Sequence, residues 1–93
     1  MPPLYTKEEL RKFRNNIDIE GLIANIVRLP HKISEGRFRF LCPLCGEFNT
    51  AVNHETNLAR CFRCEKNFNP IDMVMEANGA TFLEALEFLS PFI

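Results

Sequence analysis

Cys42, Cys45, Cys61 and Cys64 are the only four cysteines of this 93-residue chain, and they fall as two Cys-x-x-Cys pairs separated by residues 46–60. A Cys-x-x-Cys turn can aim two sulfurs at one point, and two such turns joined by a ribbon of this length form the ligand pattern of a tetrahedral metal site. Zinc takes four ligands in a closed structural site and keeps an open position in a catalytic one. Four thiolates close the site, so the spacing predicts one structural Zn(2+) with these four cysteines as ligands.

Two alternatives compete with zinc. Cys42-Pro43-Leu44-Cys45-Gly46 has the form of a rubredoxin-like knuckle, which would suit iron and electron transfer, but Cys61-Phe62-Arg63-Cys64 lacks that form. Two disulfides would suit a small secreted protein. The opening Met-Pro-Pro-Leu-Tyr-Thr-Lys-Glu-Glu has no apolar stretch of signal-peptide type, and no run approaches the roughly 18 apolar residues that span a bilayer. The expectation is a cytoplasmic, reducing setting without a membrane, where cysteines stay as thiols or bind metal.

The second candidate chemistry is phosphate and base contact. Arg37, Arg39, Arg60, Arg63 and Lys66 lie around the cysteine pairs and can reach phosphates, and Phe62, inside the second pair, can offer a stacking surface to a single-stranded base. Phe38, Phe40, Phe48 and Phe68 are expected in the core. The net charge of -1 hides a split: residues 1–27 sum to zero, 28–66 to +3 and 67–93 to -4. A face for a polyanion fits the middle segment, though with modest strength, and a solvated charge distribution fits the same numbers. His31 and His54 are not needed by a metal that four cysteines already satisfy. Asp72, Glu76, Glu84 and Glu87 have the spacing of a solvated helix face, and no nucleophile, base and acid come together in the sequence, which argues against an enzyme active site.

The elements that must hold these residues can be read from periodicity. Thr6 and Glu9 form a capping-box pattern opening a helix with Leu10, Phe13 and Ile17 on one face; Asn15 and Asn16 interrupt it. Asp18 caps a second segment carrying Ile19, Leu22, Ile23, Ile26 and Val27, which Pro30 stops, and Leu29 to Gly36 read as a linker. Arg37-Phe38-Arg39-Phe40 alternates as a strand, with Thr50–Asn53 and Leu58–Phe62 as the next two and residues 54–57 as their turn. Gly46 suits the left-handed turn after the first pair, and residues 65–67 take the matching turn after the second. Pro70 opens a helix that Gly79 ends, and Thr81 with Glu84 caps a last helix over Phe82–Leu89, with Pro91 ending the ordered chain. The fold class is therefore α+β: one domain over 1–93, helical at 6–29 and 70–90, around a zinc ribbon at 37–66, a small antiparallel sheet with two knuckles. A chain this short buries only about 60% of its unfolded surface, so a metal site worth on the order of 10 to 16 kcal/mol would supply much of its stability.

The run from Ile17 to Leu89 resembles the N-terminal zinc-binding domain of bacterial DnaG-type primases. The matching pieces are Asp18-Ile19 with its amphipathic segment, Leu41-Cys42-Pro43-Leu44-Cys45, Cys61-Phe62-Arg63-Cys64, the helix from Pro70 to Glu76, and Thr81 to Leu89. The resemblance implies a non-catalytic module that binds single-stranded template DNA and helps a polymerase domain, absent from these residues, to begin an RNA primer during DNA replication. A primase polymerase domain or a helicase would be its protein partner. The sequence departs from the family at two places: Cys45 stands where the family has histidine, and Glu47-Phe48-Asn49-Thr50-Ala51-Val52 replaces a K-T-P-S-F-like segment. The competing function is a protein-interaction adaptor using the acidic C-terminal helices, Glu84 and Glu87 included.

Overall fold

Thr6 starts the first helix as its sequence pattern requires. Its hydroxyl accepts the Glu9 backbone N–H at 3.1 Å while the Glu9 carboxylate accepts the Thr6 N–H at 3.4 Å, a reciprocal cap on α1 (Lys7–Asn15). The computed structural model describes residues 5–93; of the Pro-containing stretch Met1–Tyr5, expected to be loosely held, only Tyr5 is among them, and its ring meets Phe13 edge-on at 5.6 Å. Phe13 and Ile17 are buried. Asp18 then caps a short α2 (Ile19–Gly21), accepting the Gly21 N–H at 2.9 Å, and the chain continues into a π-helical turn, Leu22–Ile26. Ile19, Leu22 and Ile23 are fully buried. The helical run ends ahead of Pro30, with Arg28 in the left-handed region at φ 55°.

The expected linker Leu29–Gly36 is corrected by the structure. It contains β1 (His31–Ser34), which pairs antiparallel with β2 (Arg37–Phe40) in a register running from His31 opposite Phe40 to Ser34 opposite Arg37. Glu35 and Gly36 make the two-residue turn, both at positive φ (54° and 76°), the backbone shape that matches strand twist in a tight hairpin. A two-residue x-Gly step before an alternating segment was the available signal.

A second sheet has the order β3-β4-β5, built from β3 (Thr50–Asn53), β4 (Leu58–Cys61) and β5 (Lys66–Phe68). The expected ribbon of 37–40, 50–53 and 58–62 is thus right in two strands and corrected in the third. β2 belongs to the separate hairpin, and the third ribbon strand is β5, in the region expected to be a turn. The reason is backbone satisfaction: β4 has a second edge whose N–H and C=O groups need partners, and the turn after Cys64 returns the chain antiparallel along it. Three residues of Lys-Asn-Phe are too few for periodicity to reveal.

The two sheets are joined through Thr50. Its buried hydroxyl accepts the Phe40 N–H at 2.9 Å and donates to the Phe40 carbonyl at 2.7 Å, so a side chain does the work of a ladder between β2 and β3. Asn57, at positive φ in the β3–β4 turn, performs a similar linkage to the helices: its amide Nδ2 donates to the carbonyls of Arg14 and Ile17, each at 2.6 Å, and its Oδ1 accepts the Ile19 N–H at 2.9 Å.

At the C-terminal end, Asn69 caps α3 (Pro70–Asn78) by accepting the Asp72 N–H at 2.8 Å, with Pro70 in the first turn and Gly79 left-handed at the exit. Thr81 and Glu84 cap α4 (Phe82–Leu89) reciprocally, as the sequence requires. Pro91 lies within a final 3-10 turn, Ser90–Phe92, rather than ending the ordered chain. Ala59, Cys61 and Phe68, from the inner face of the three-stranded sheet, share one core with Phe13, Leu22, Val74 and Leu86 from the helices.

Replacing Thr50 by Val keeps the volume and removes both bonds to Phe40, leaving a buried N–H and C=O without these partners. At about 1–3 kcal/mol for an unsatisfied buried group, the variant is expected to lose on the order of 2 kcal/mol or more in denaturant unfolding at saturating zinc. A loss under about 0.5 kcal/mol would show that the sheets are not held by this side chain.

Candidate metal centre and nucleic-acid interface

The two knuckles are built alike. After the first pair, Gly46 takes φ 71° and its N–H bonds the Cys42 carbonyl at 2.9 Å; after the second, Glu65 takes φ 53°. Backbone N–H groups aim at the sulfurs: Leu44 at Cys42 Sγ and Cys64 at Cys61 Sγ, both at 3.4 Å. The first knuckle is closed on itself by Cys42 N–H to the Glu47 carbonyl at 3.0 Å, and the second is tied to the segment that follows the first by Phe62 N–H to the Asn49 carbonyl at 2.9 Å. Cys61 is the last residue of β4, so the sheet itself positions the second pair.

All four Sγ atoms lie within 4.8 Å of one another, and the cysteines are free rather than bridged. Cys42 and Cys64 approach to 3.9 Å, Cys45 and Cys61 to 3.6 Å. Zinc–sulfur bonds of about 2.3 Å in a tetrahedron require sulfurs about 3.8 Å apart, and these two separations straddle that value. The donor set fits zinc.

Electrostatics point the same way. Burial pushes the Cys42 thiol up, against backbone hydrogen bonds from Cys45 and Leu44. Cys64 is pushed up to about 12, first by its contact with Cys45 and then by burial and the other thiols. At Cys61 burial also raises the pKa, but the Cys64 N–H and the surrounding thiols outweigh it and bring the value down to about 7. One thiolate is favoured and its neighbours resist a second negative charge, so four thiolates need a cation among them.

The candidate phosphate and base contacts do not form one cluster. Cross-strand pairing puts Ala51, Arg60 and Asn67 side by side on the outer face of the three-stranded sheet. With Asn53, Leu58 and Phe62 they line a groove of about 760 Å³. Phe62 is 47% exposed, with the Arg60 guanidinium 5.8 Å from its ring centre, and Arg60 also donates to Asn67 Oδ1 at 3.3 Å. Lys66 pairs opposite Cys61, on the other face, and its ammonium lies 3.6 Å from Glu76 of α3. Arg63 is held by Glu47 at 3.0 Å. Arg39 is half-buried and donates to the Thr50 carbonyl at 2.7 Å. Arg37 is exposed in β2 and lines a smaller groove with Phe38, Ala51, Val52 and His54, next to the first.

Phe40 and Phe68 are fully buried, as core packing requires. Phe38 and Phe48 are half-buried: Phe38 stacks on His31 at 5.4 Å, and Phe48 lies under the Lys32 ammonium at 4.8 Å. His31 Nδ1 is 3.0 Å from the Leu29 carbonyl, His54 is 3.7 Å from Asp18, and neither belongs to the cysteine cluster. Sequence reasoning passed over Asn57, which bonds the helices to the sheet, and no periodic signal marks such a residue. Among the described residues, no helix is long and apolar enough to cross a membrane.

A family model described as "CHC2 zinc finger" matches residues 5–93. The chain is 34% identical over 84 residues to a DNA primase of Listeria monocytogenes, covering 87% of this chain and 13% of that protein. It is 33% identical over 88 residues to a DNA primase of Halalkalibacterium halodurans (90% and 14%) and 30% identical over 86 residues to one of Thermotoga maritima (90% and 15%). The chain thus spans 13–15% of the length of these relatives.

Zinc ligation converts thiols to thiolates, so binding releases protons and is favoured as pH rises. Lowering the pH is therefore expected to release zinc, read with a chromogenic chelator, and far-UV circular dichroism should lose strand signal in step. Chelation at neutral pH should give the same loss. Zinc retention unchanged to about pH 4 would show that thiolates do not hold it.

Proposed function

The chain belongs to the CHC2 zinc-finger family, the zinc ribbon of DnaG-type primases, and from that membership we propose that it serves as a primase's single-stranded DNA-binding module. One Zn(2+) held by Cys42, Cys45, Cys61 and Cys64 fixes both knuckles and the end of β4. The metal's work is structural: it locks the sheet whose outer face meets the template. Primer synthesis itself is assigned to a polymerase domain outside these 93 residues, acting in DNA replication with this module and, in its setting, a helicase. Cytoplasmic location follows from that role.

What supports the DNA reading is the exposed Phe62 ring beside Arg60 on the grooved sheet face. A base can stack on Phe62, sequence-tolerantly, while Arg60 and Arg37 take phosphates. Arg63 and Lys66 contribute less, because each is already paired with a carboxylate, although exposed pairs of this kind are worth only about 0–1 kcal/mol and open readily. Arg39 positions β2 against β3 rather than reaching outward.

The adaptor reading is supported by a different surface. Leu83 and Phe88 are exposed large apolar residues on α4, near Glu87. Glu84 is committed locally: hydrogen bonds from the Thr81 backbone and side chain hold its carboxyl below the usual carboxylate range. Such a face suits contact with another protein domain and is compatible with the DNA role.

Two substitutions test these assignments. Phe62→Ala is expected to weaken binding of short single-stranded DNA by about 1–3 kcal/mol with little change in salt dependence, and Arg60→Ala to flatten the log–log salt slope by about 0.7. Fluorescence anisotropy at low salt measures both, and binding no tighter than to a charge-matched control would overturn the reading. At the metal, Cys45→His should retain zinc, since it restores the family's ligand set. Cys45→Ala should lose more than the ~10–100-fold in affinity that removing an outer-shell partner costs.

A further inference from the structure

The net charge of zero over residues 1–27 conceals a one-sided helix. Lys7, Arg11 and Arg14 stand at i, i+4 and i+7 of α1, within one face of a 3.6-residue period. All three are exposed, and none forms an ion pair with a described residue. Of the two acids in the first turn, Glu9 is engaged by the Thr6 cap, and Glu8 lines none of the grooves described next.

Three grooves run into one another along this side. The sheet groove that holds Phe62 and Arg60 also reaches Thr56 and Leu58. Those two residues line a second groove of about 360 Å³ together with Arg11, Arg14 and Asn69. Arg11, Arg14 and Asn69 then line a third of about 350 Å³, which adds Lys7 and ends at Phe82. Phe82 is 44% exposed, so the path has an accessible aromatic ring at each end and basic side chains between them. Two carboxylates line it: Asp72, which accepts the Asn69 N–H at 3.2 Å and so is part of the α3 cap, and Glu55, exposed in the β3–β4 turn at the sheet groove. Asn57 holds the path in one piece: its bonds to the carbonyls of Arg14 and Ile17 fix the end of α1 against the β3–β4 turn.

We infer that a single nucleic-acid strand laid on the sheet at Phe62 and Arg60 continues past Leu58 onto the Lys7-Arg11-Arg14 face of α1, which takes about three further phosphates, with Phe82 stacking a base at the far end. The inference rests on the single-strand reading proposed above and extends it to a second, helical subsite. A backbone-following basic track with aromatic platforms is how strands are bound without sequence preference. The extension makes affinity depend on strand length: a short oligonucleotide uses the sheet alone, and a longer one uses both.

The test is anisotropy over a salt series with single-stranded oligonucleotides of about 4 and about 12 nucleotides, within the range of known single-strand site sizes. With about 0.7 per phosphate on a single strand, the long oligonucleotide should show a log–log slope steeper by about 2. The triple variant K7A/R11A/R14A should bring the long oligonucleotide's slope down to that of the short one and leave short-oligonucleotide binding unchanged. Phe82→Ala should weaken only the long one. Equal slopes for the two lengths in the unmodified protein would overturn the inference, as would a triple variant that keeps the full slope or weakens both lengths alike. The sheet reading fails separately: if the unmodified protein binds neither length above a charge-matched control, or if R60A/F62A binds the short one normally, that reading falls and the extension with it. Normal short-oligonucleotide binding with an indifferent triple variant removes the extension alone.

Discussion

The structure depends on four sulfurs brought within 4.8 Å of one another. Packing alone does not favour that arrangement, since the thiols crowd and resist sharing negative charge, as the raised Cys42 and Cys64 values register. A divalent cation reverses the sign of the interaction. Every sulfur then attracts the centre, and the two knuckles, 15 residues apart along the chain, become one rigid end of the sheet. Because Cys61 is both a β4 residue and a buried member of the core, whatever fixes the sulfurs also fixes the strand register that places Arg60 and Phe62 on the outer face.

Two polar side chains carry that rigidity into the rest of the molecule. Thr50 substitutes for a ladder between sheets that share no backbone pairing, and Asn57 satisfies two carbonyls and one N–H where the helices meet the β3–β4 turn. Both act where regular hydrogen bonding runs out. The apolar core beneath them is shared by all the layers, so helices and sheet are coupled through packing as well. The outer face, by contrast, is freed from core duty, and an aromatic ring that packing would otherwise claim is left accessible there.

The division between helices and sheet also organises charge. The bases of the ribbon segment are sorted by strand geometry: Arg60 outward, Lys66 to the opposite face against Glu76, Arg63 against Glu47, Arg39 inward to a carbonyl. A segment total of +3 therefore overstates the charge presented on any one side. The total of zero for the first 27 residues understates it, because helical periodicity collects Lys7, Arg11 and Arg14 on one face.

Much of this protein was legible before any coordinates. Cysteine spacing, reciprocal caps at Thr6 and Thr81, the proline and glycine bounding α3, and the alternation of Arg37 to Phe40 are local signals, each set by the chemistry of a few consecutive residues. They determined the α-helices, strands β2, β3 and β4, the sulfur cluster and the α+β class. Tertiary structure alone decided which strands pair. β5 exists because β4 has an edge to satisfy, and β1 left only a two-residue turn as its trace. The same holds for the interface: whether an arginine faces solvent, a carboxylate or a carbonyl depends on what the fold sets beside it, which spacing along the chain does not encode.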